Sequence, residues 1–280
     1  MIINKPLRAG IIFLFLFFSL HTFSQRDVID SLKPQLGSLK GKKKIEIYNS
    51  LSKAYWNLAP DSSLYYSEKA LTLAREINDK KGISDAYNRI GNAYYFKEEL
   101  DSAFSYYNKS LKLRKDIGNK ERLIQIYNNF AHYYRNTGNN EKAIDYYKKA
   151  RQTAKEGKLS EDIITYSYLL GNLYVEQNNY KQAVELLLKS VDFARETGDS
   201  LQIANINQRI GSIYKSINSY DKALEYYYNS LNIWKEKENR EGMAMTYNSI
   251  GNIHERLKNY DRALENYNKT LDLYKQLDDE

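Results

Sequence analysis

The sequence repeats itself, and this repetition limits the possible folds more than any other feature. A small residue recurs in similar surroundings at Ser52, Gly91, Ala131, Gly171, Gly211 and Gly251, with a first interval of 39 residues and later intervals of 40. A fixed period of this length is typical of repeat arrays, in which each unit packs mainly on its neighbours. We therefore expect one elongated array rather than two globular domains.

Each unit has the pattern of two helices joined by a short polar turn. In the second unit, the apolar spacing predicts a first helix over about residues 83–96 and a second over about residues 101–117. Gly118 is suited to end the second helix in a left-handed turn. Similar breaks recur in the other units. The sequence therefore predicts an all-α chain of six helical hairpins, with about twelve to thirteen helices in all.

The breaks also give the expected organisation of the chain. We predict six repeats, over about residues 43–80, 81–119, 120–159, 160–199, 200–239 and 240–280. Residues 25–42 form a leader with helical apolar spacing that Pro34 and Gly37 interrupt. Because terminal repeats need a cover for their apolar face, we expect this leader to be a short capping helix.

Two further positions recur in the second helix of each unit. A small residue lies at Ala103, Ala143, Ala183, Ala223 and Ala263, and Tyr107, Tyr147, Leu187, Tyr227 and Tyr267 follow one turn later. We expect the small residues to let two helices approach closely. We expect the larger ones to fill the space between neighbouring hairpins.

Together with Ile90, Gly91 and Tyr94, this pattern resembles the tetratricopeptide repeat. The resemblance implies a right-handed superhelical solenoid whose first helices line a concave groove. The usual period of that family is about 34 residues. The longer period here is similar to that of kinesin light chains, bacterial peptide-sensing regulators and exported or sensor proteins of the Bacteroidota.

The N-terminus predicts export. Lys5 and Arg8 precede a short apolar run from Ile11 to Leu20, and small residues follow at Thr22 and Ser24. This is the pattern of a secretory signal peptide over residues 1–24, cleaved before Gln25, with a periplasmic or secreted product. An uncleaved anchor is the alternative, although the run is shorter than the ~20 residues of a membrane span.

Composition and motifs argue against an enzyme and against a nucleic-acid partner. The chain has no Cys, and its two histidines beyond the signal segment, His132 and His254, are far apart. No metal or cofactor is expected. Removal of residues 1–24 lowers the formal net charge from +7 to +5, a modest excess for this length. Most of the 27 tyrosines fall on packing positions, which favours a role in the core over base stacking.

A row of polar residues on the first helices is the candidate site. The position three before the small residue holds Asn49, Asn88, Asn128, Tyr168, Gln208 and Asn248, and the position one after it holds Lys53, Asn92, His132, Asn172, Ser212 and Asn252. These positions are four apart and so share a helix face. Amide side chains both donate and accept hydrogen bonds. We predict that this row grips the backbone of an extended peptide, with Arg89, Arg135, Arg209 and Lys215 as nearby cations for carboxylates. A merely solvated face is the alternative.

The last hairpin leaves open how the chain is used. No capping helix follows it, so Leu264, Tyr267, Leu271 and Tyr274 are expected to be partly exposed. The first interpretation is an exported scaffold that binds a peptide or protein segment, and a self-associating scaffold is another. The remaining alternative is the sensor region of a histidine kinase or transcription regulator. A reading frame that continues past Glu280 into an apolar stretch would favour this alternative.

Overall fold

The computed structural model describes residues 25–278 and contains α-helices joined by short turns in that range. A first helix, α1, covers residues 25–32 and leads into a 3₁₀ turn at Lys33–Gly37. The following helices are α2 (Gly41–Tyr55), α3 (Pro60–Glu76), α4 (Lys80–Phe96), α5 (Leu100–Ile117), α6 (Lys120–Asn136), α7 (Asn140–Gly157), α8 (Ser160–Glu176), α9 (Tyr180–Glu196), α10 (Ser200–Ser216), α11 (Tyr220–Glu236), α12 (Arg240–Arg256) and α13 (Tyr260–Asp278). The predicted all-α repeat solenoid is confirmed. The predicted signal peptide lies outside the described residues.

From α3 onward, every helix is joined to the next through one residue in the left-handed conformation. These residues are Asn78, Glu98, Gly118, Gly138, Lys158, Asn178, Gly198, Asn218, Glu238 and Lys258. In the first joint, the Asp79 N–H donates to the Ala74 carbonyl oxygen at 2.8 Å, which satisfies a carbonyl that the helix end leaves free. The next helix begins two residues after the left-handed residue. The predicted turn at Gly118 is therefore one of ten similar joints.

The described chain forms two compact units, which divide between Tyr146 and Tyr147 within α7. In the first unit, α2 packs against α3 and α4 against α5, while α3 contacts α4 and α5 contacts α6. The buried side chains of Ile45, Ala86 and Ile90 form part of its core. Ile29 of α1 packs with Leu51 of α2, so the leader covers apolar surface at the start of this unit.

The second unit has the same construction. α8 packs against α9, α10 against α11 and α12 against α13, while α9 contacts α10 and α11 contacts α12. Ile206, Ile210 and Leu187 belong to one buried cluster, and Tyr227 and Ile250 belong to the next. Among the residues that the structure describes, no helix is both long and apolar enough to span a membrane.

The recurring glycine of the first helix packs directly against a tyrosine ring of the second helix in the same hairpin. A Cβ atom added at Gly211 would lie 2.8 and 2.9 Å from two carbons of the Tyr227 ring. At Gly91, the equivalent distances to the Tyr107 ring are both 2.6 Å. Each ring also fills the space toward the next hairpin, as expected, because Tyr107 packs with Phe130 of α6 and Tyr227 packs with Ile250 of α12.

Serine hydroxyl groups provide a second tie within the hairpins. Ser110 of α5 donates to the Ser84 carbonyl oxygen of α4 at 2.7 Å, and Ser230 of α11 donates to the Ala204 carbonyl oxygen of α10 at 2.8 Å. These small serine side chains let the two helices approach closely. They also hold the second helix to the backbone of the first.

The contact between glycine and ring can be tested by substituting Gly211, with Gly171 as the control position. Gly211→Ala should lower the free energy of unfolding by about 1–2 kcal/mol, because overpacking costs about 1–3 kcal/mol and exceeds the helix-propensity gain of roughly 1 kcal/mol. Gly171→Ala should be neutral or stabilising, because a Cβ there would lie 3.4 Å or more from the smaller Leu187 side chain. Urea unfolding followed by circular dichroism measures both. Equal shifts for the two variants would contradict this explanation.

Candidate functional site

The candidate residues lie on one face of alternate helices, here called the A-helix face. It consists of the positions three before and one after the small residue on α2, α4 and α6 in the first unit and on α8, α10 and α12 in the second. In the first unit α2 contacts α4 and α4 contacts α6, and in the second unit α10 contacts α12. Side chains from consecutive first helices can therefore meet within each unit.

Two of the predicted amides are largely buried. Asn88 and Asn92 on α4 are only 4% and 5% exposed. The Asn129 Nδ2 group on α6 donates to Asn88 Oδ1 at 2.7 Å and to Asn92 Oδ1 at 3.0 Å. At these two positions, a neighbouring helix already takes up the carbonyl oxygens that the prediction assigns to a bound peptide.

The position one after the small residue has an internal partner in three hairpins. Tyr107 donates its hydroxyl hydrogen to Asn92 Oδ1 at 2.9 Å, and the Tyr267 hydroxyl lies 3.0 Å from Asn252 Oδ1 and 2.7 Å from Glu255 Oε2. The Tyr227 hydroxyl lies 3.1 Å from Ser212 Oγ. A buried hydroxyl needs such a partner. In these hairpins, part of the predicted row therefore serves the contact between the two helices.

The hairpin of α8 and α9 departs from this pattern. Leu187 stands where four other hairpins have tyrosine and the first has Ser67, so no phenol reaches Asn172. Asn172 Oδ1 is buried without a hydrogen-bond partner, and so is Arg209 Nε on α10. The Arg209 guanidinium carbon lies 5.7 Å from the centre of the Tyr168 ring, which is 36% exposed. This part of the second unit combines an exposed aromatic ring with polar atoms that have no hydrogen-bond partner.

The remaining candidate residues have varied surroundings. Asn49 is half-buried and its Oδ1 has no partner, whereas Asn128 and Gln208 are half-buried and Asn248 is exposed. Lys53 is exposed and lies at a pocket of about 580 Å³ that Val28, Leu32, Ala54 and Trp56 line with apolar surface. Desolvation and the nearby Arg135 cation lower the pKa of His132.

An arginine cluster in the first unit was missed by the sequence analysis. Arg114 of α5 is 1% exposed, and its guanidinium lies 3.3 Å from Asp85 Oδ1 on α4 and donates to the Arg122 carbonyl oxygen at 2.5 Å. The Arg122 guanidinium also pairs with Asp85. Arg89 lies one helical turn after Asp85 on the same face of α4.

A sequence signal for this cluster did exist. Arg114 occupies a position where the other second helices carry small or aromatic residues, namely Ala74, Ala154, Ala194, Trp234 and Tyr274. A charged residue in an apolar register predicts either a functional site or a paired structural charge. No group of three or more His, Cys, Asp or Glu residues that could hold a metal ion occurs in residues 25–278.

Comparison with known families identifies the repeat. A family model described as tetratricopeptide repeat matches residues 122–196 and 202–276, and a second model of the same description matches residues 84–117. These matches cover more than half of the sequence, and the chain therefore belongs to the tetratricopeptide repeat family. No curated protein matches the sequence significantly.

Several solved structures share the fold. The apo form of RapI is 14% identical with a TM-score of 0.70, and the match covers 92% of this chain and 76% of RapI. A Rap protein complexed with Competence and Sporulation Factor is 16% identical with a TM-score of 0.58, over 94% and 74% of the two chains. The apo form of the quorum sensor NprR from B. thuringiensis is 16% identical with a TM-score of 0.57, over 94% and 78%. At these identities, the likeness concerns the fold.

Proposed function

We propose that this protein is a non-enzymatic scaffold that binds a peptide or protein segment on its A-helix face. The main support is the group formed by Tyr168, Asn172 and Arg209 in the second unit. It combines an exposed ring with a carbonyl oxygen and an Nε–H group that have no internal partner. Aromatic and arginine side chains are enriched among the residues that dominate protein interfaces.

The chemistry of this group fits an extended polypeptide. A backbone N–H of a bound segment can donate to an asparagine oxygen, and a backbone C=O can accept from a guanidinium. Such bonds hold a segment without reading its sequence, whereas the Tyr168 ring gives an anchor for one apolar side chain. The solved Rap protein in complex with Competence and Sporulation Factor supports ligand binding by this fold.

The proposal is tested with a double variant and a matched control. Tyr168→Ala with Asn248→Ala removes two exposed side chains of the A-helix face in the second unit. Tyr228→Ala with Asn268→Ala removes the same residue types, also exposed, from the second helices α11 and α13. With each protein as bait against cell-envelope extract, the first variant should lose its partner by at least about tenfold, as expected for a hot spot above ~1.4 kcal/mol.

The control variant shows whether the loss of the partner is specific to the A-helix face. The Tyr228 and Asn268 variant should retain the partner at the native level, and circular dichroism should show equal helicity for all baits. If both variants retain the partner equally, the A-helix face is only a solvated surface. If both lose it equally, the binding surface lies elsewhere or spans both kinds of helix.

We also propose that the protein is exported. The support is the charge and apolar pattern of residues 1–24 together with Ser24 before Gln25. Expression of the whole chain in its native cell should give a product whose N-terminal residue is Gln25, as determined by N-terminal sequencing or by intact mass after allowing for cyclisation of that glutamine. A product that begins at Met1 in the cytoplasmic fraction would overturn this proposal.

Self-association is a second candidate, and the surface of α13 favours it. Leu264 and Leu271 are 61% and 52% exposed, whereas Leu231, which corresponds to Leu271 on α11, is 2% exposed because α12 covers it. A second copy of this chain that packs on α13 would bury the same surface. Wild-type protein should then show a mass in sedimentation that rises with concentration.

The matching variants test this candidate. Leu271→Glu should abolish the concentration-dependent mass, because it places a charge in an apolar contact. Leu188→Glu on α9, where the native leucine is also exposed, should leave it unchanged. A wild-type monomer at high protein concentration would remove the candidate.

A sensor role remains the alternative function. NprR, which shares the fold, is described as a quorum sensor. In this alternative, the A-helix face would bind its ligand in the same way, and an output domain of the same polypeptide would respond. A full-length messenger that encodes a kinase or DNA-binding domain in frame with these repeats would support it, and a stop codon directly after Glu280 would remove it.

A further inference from the structure

The A-helix face of the first unit has hydrogen-bond donors without acceptors. The Oδ1 atoms of Asn88 and Asn92 accept from Asn129, so the Nδ2 group of each asparagine is left as a donor. In residues 25–278, neither Nδ2 group donates to another atom. Arg114 Nε is buried and also lacks an acceptor.

Arg89 adds the main charge to these donors. Its guanidinium forms no hydrogen bond or ion pair within the described residues, although it is half-buried on α4 between Asn88 and Asn92 in sequence. Burial lowers the pKa of Arg89. Burial and the nearby Arg89 lower the pKa of Arg114 to about 9. With this pKa the Arg114 guanidinium remains mainly charged at pH 7, and its interaction with Arg89 is unfavourable.

The acidic groups nearby do not reach Arg89. Asp85 is in contact with Arg114 and Arg122, so one carboxylate is shared between two cations. The carboxylates of Asp79 and Glu46 act on Arg122 from farther away. An uncompensated charge in a partly buried position is unfavourable, and a bound anion offsets it.

We propose that Arg89, Asn88 and Asn92 form a binding site for a phosphate-class oxyanion, with Arg114 as a buried cation behind it. Arg89 can bind two oxygens of such a group through its planar fork, and the two Nδ2 groups can donate to others. The ligand is either free phosphate or a phosphoryl group on the bound segment. The proposal deepens the proposed function, because the site lies on the A-helix face.

The donor set distinguishes this ligand from other occupants. The unpaired groups of Arg89, Asn88 and Asn92 are donors, whereas a neutral peptide amide offers them one acceptor oxygen and no negative charge. Water can accept these hydrogen bonds but does not neutralise the charge of Arg89. A phosphate group presents several acceptor oxygens and carries a charge of about −1.5 to −2 at pH 7.

Calorimetry with inorganic phosphate on the purified chain tests the site without any protein partner. Phosphate should bind to wild-type protein at constant ionic strength, and Arg89→Gln should weaken binding by at least about tenfold, because it removes the bidentate charged donor. Arg89→Lys, which keeps the charge without the fork, should be intermediate. Arg195→Gln in the second unit, an exposed arginine with the same change in net charge, should bind as wild type does.

Further titrations show whether the anion is free phosphate or a phosphoryl group on a protein, and which results would overturn the proposal. A phosphoserine peptide that binds more tightly than phosphate indicates a protein-borne group, and tighter binding of phosphate indicates the free ion. Absence of binding, equal loss in Arg89→Gln and Arg195→Gln, or acetate binding as well as phosphate would overturn the proposal. Because Tyr168 and Asn248 lie in the other unit, failure here leaves the capture experiment unaffected, and the two failures can be distinguished.

Discussion

In three of the hairpins, the contact between a tyrosine ring and a helical glycine fixes the spacing of the two helices. At Gly211 under Tyr227 and at Gly91 under Tyr107, the helices approach so closely that the ring leaves no room for a Cβ atom. Only this approach brings the tyrosine hydroxyl to the polar residue that follows the glycine, such as Ser212 or Asn92. Packing and hydrogen bonding therefore specify the same helix separation, and local and tertiary preferences agree.

The period, the helices and the family could be predicted from the sequence because each depends on local patterns. The small residue, the ring and the left-handed joint recur at fixed intervals. Serine side chains hold the second helix of a hairpin to the first. Ser110 donates a hydrogen bond to the Ser84 carbonyl oxygen, and Ser230 donates in the same way to the Ala204 carbonyl oxygen. Because the same pattern recurs in several repeats, it is easier to recognise in the sequence.

The state of individual polar side chains could not be predicted in this way. The sequence places Asn88 and Asn248 at the same register, yet Asn88 is buried and Asn248 is exposed. Asn129 on the following first helix contacts Asn88, whereas within the described residues no side chain occupies the equivalent place beside Asn248. The exposure of a side chain in a repeat array depends on contacts between neighbouring repeats. These contacts cannot be deduced from one repeated position in the sequence. Departures such as Leu187 and Arg114 proved more informative about candidate sites than the regular positions.

The left-handed joints divide the array into connections of unequal strength. Glycine or asparagine adopts this conformation at six of the ten joints, whereas Glu98, Lys158, Glu238 and Lys258 hold it with a full side chain. The left-handed conformation costs such residues roughly 1–2 kcal/mol. A repeat array opens locally rather than all at once, and its weakest connections open first. The turn at Glu98 lies between α4 and α5, so the hairpin that carries the arginine cluster is also joined by one of these weaker connections.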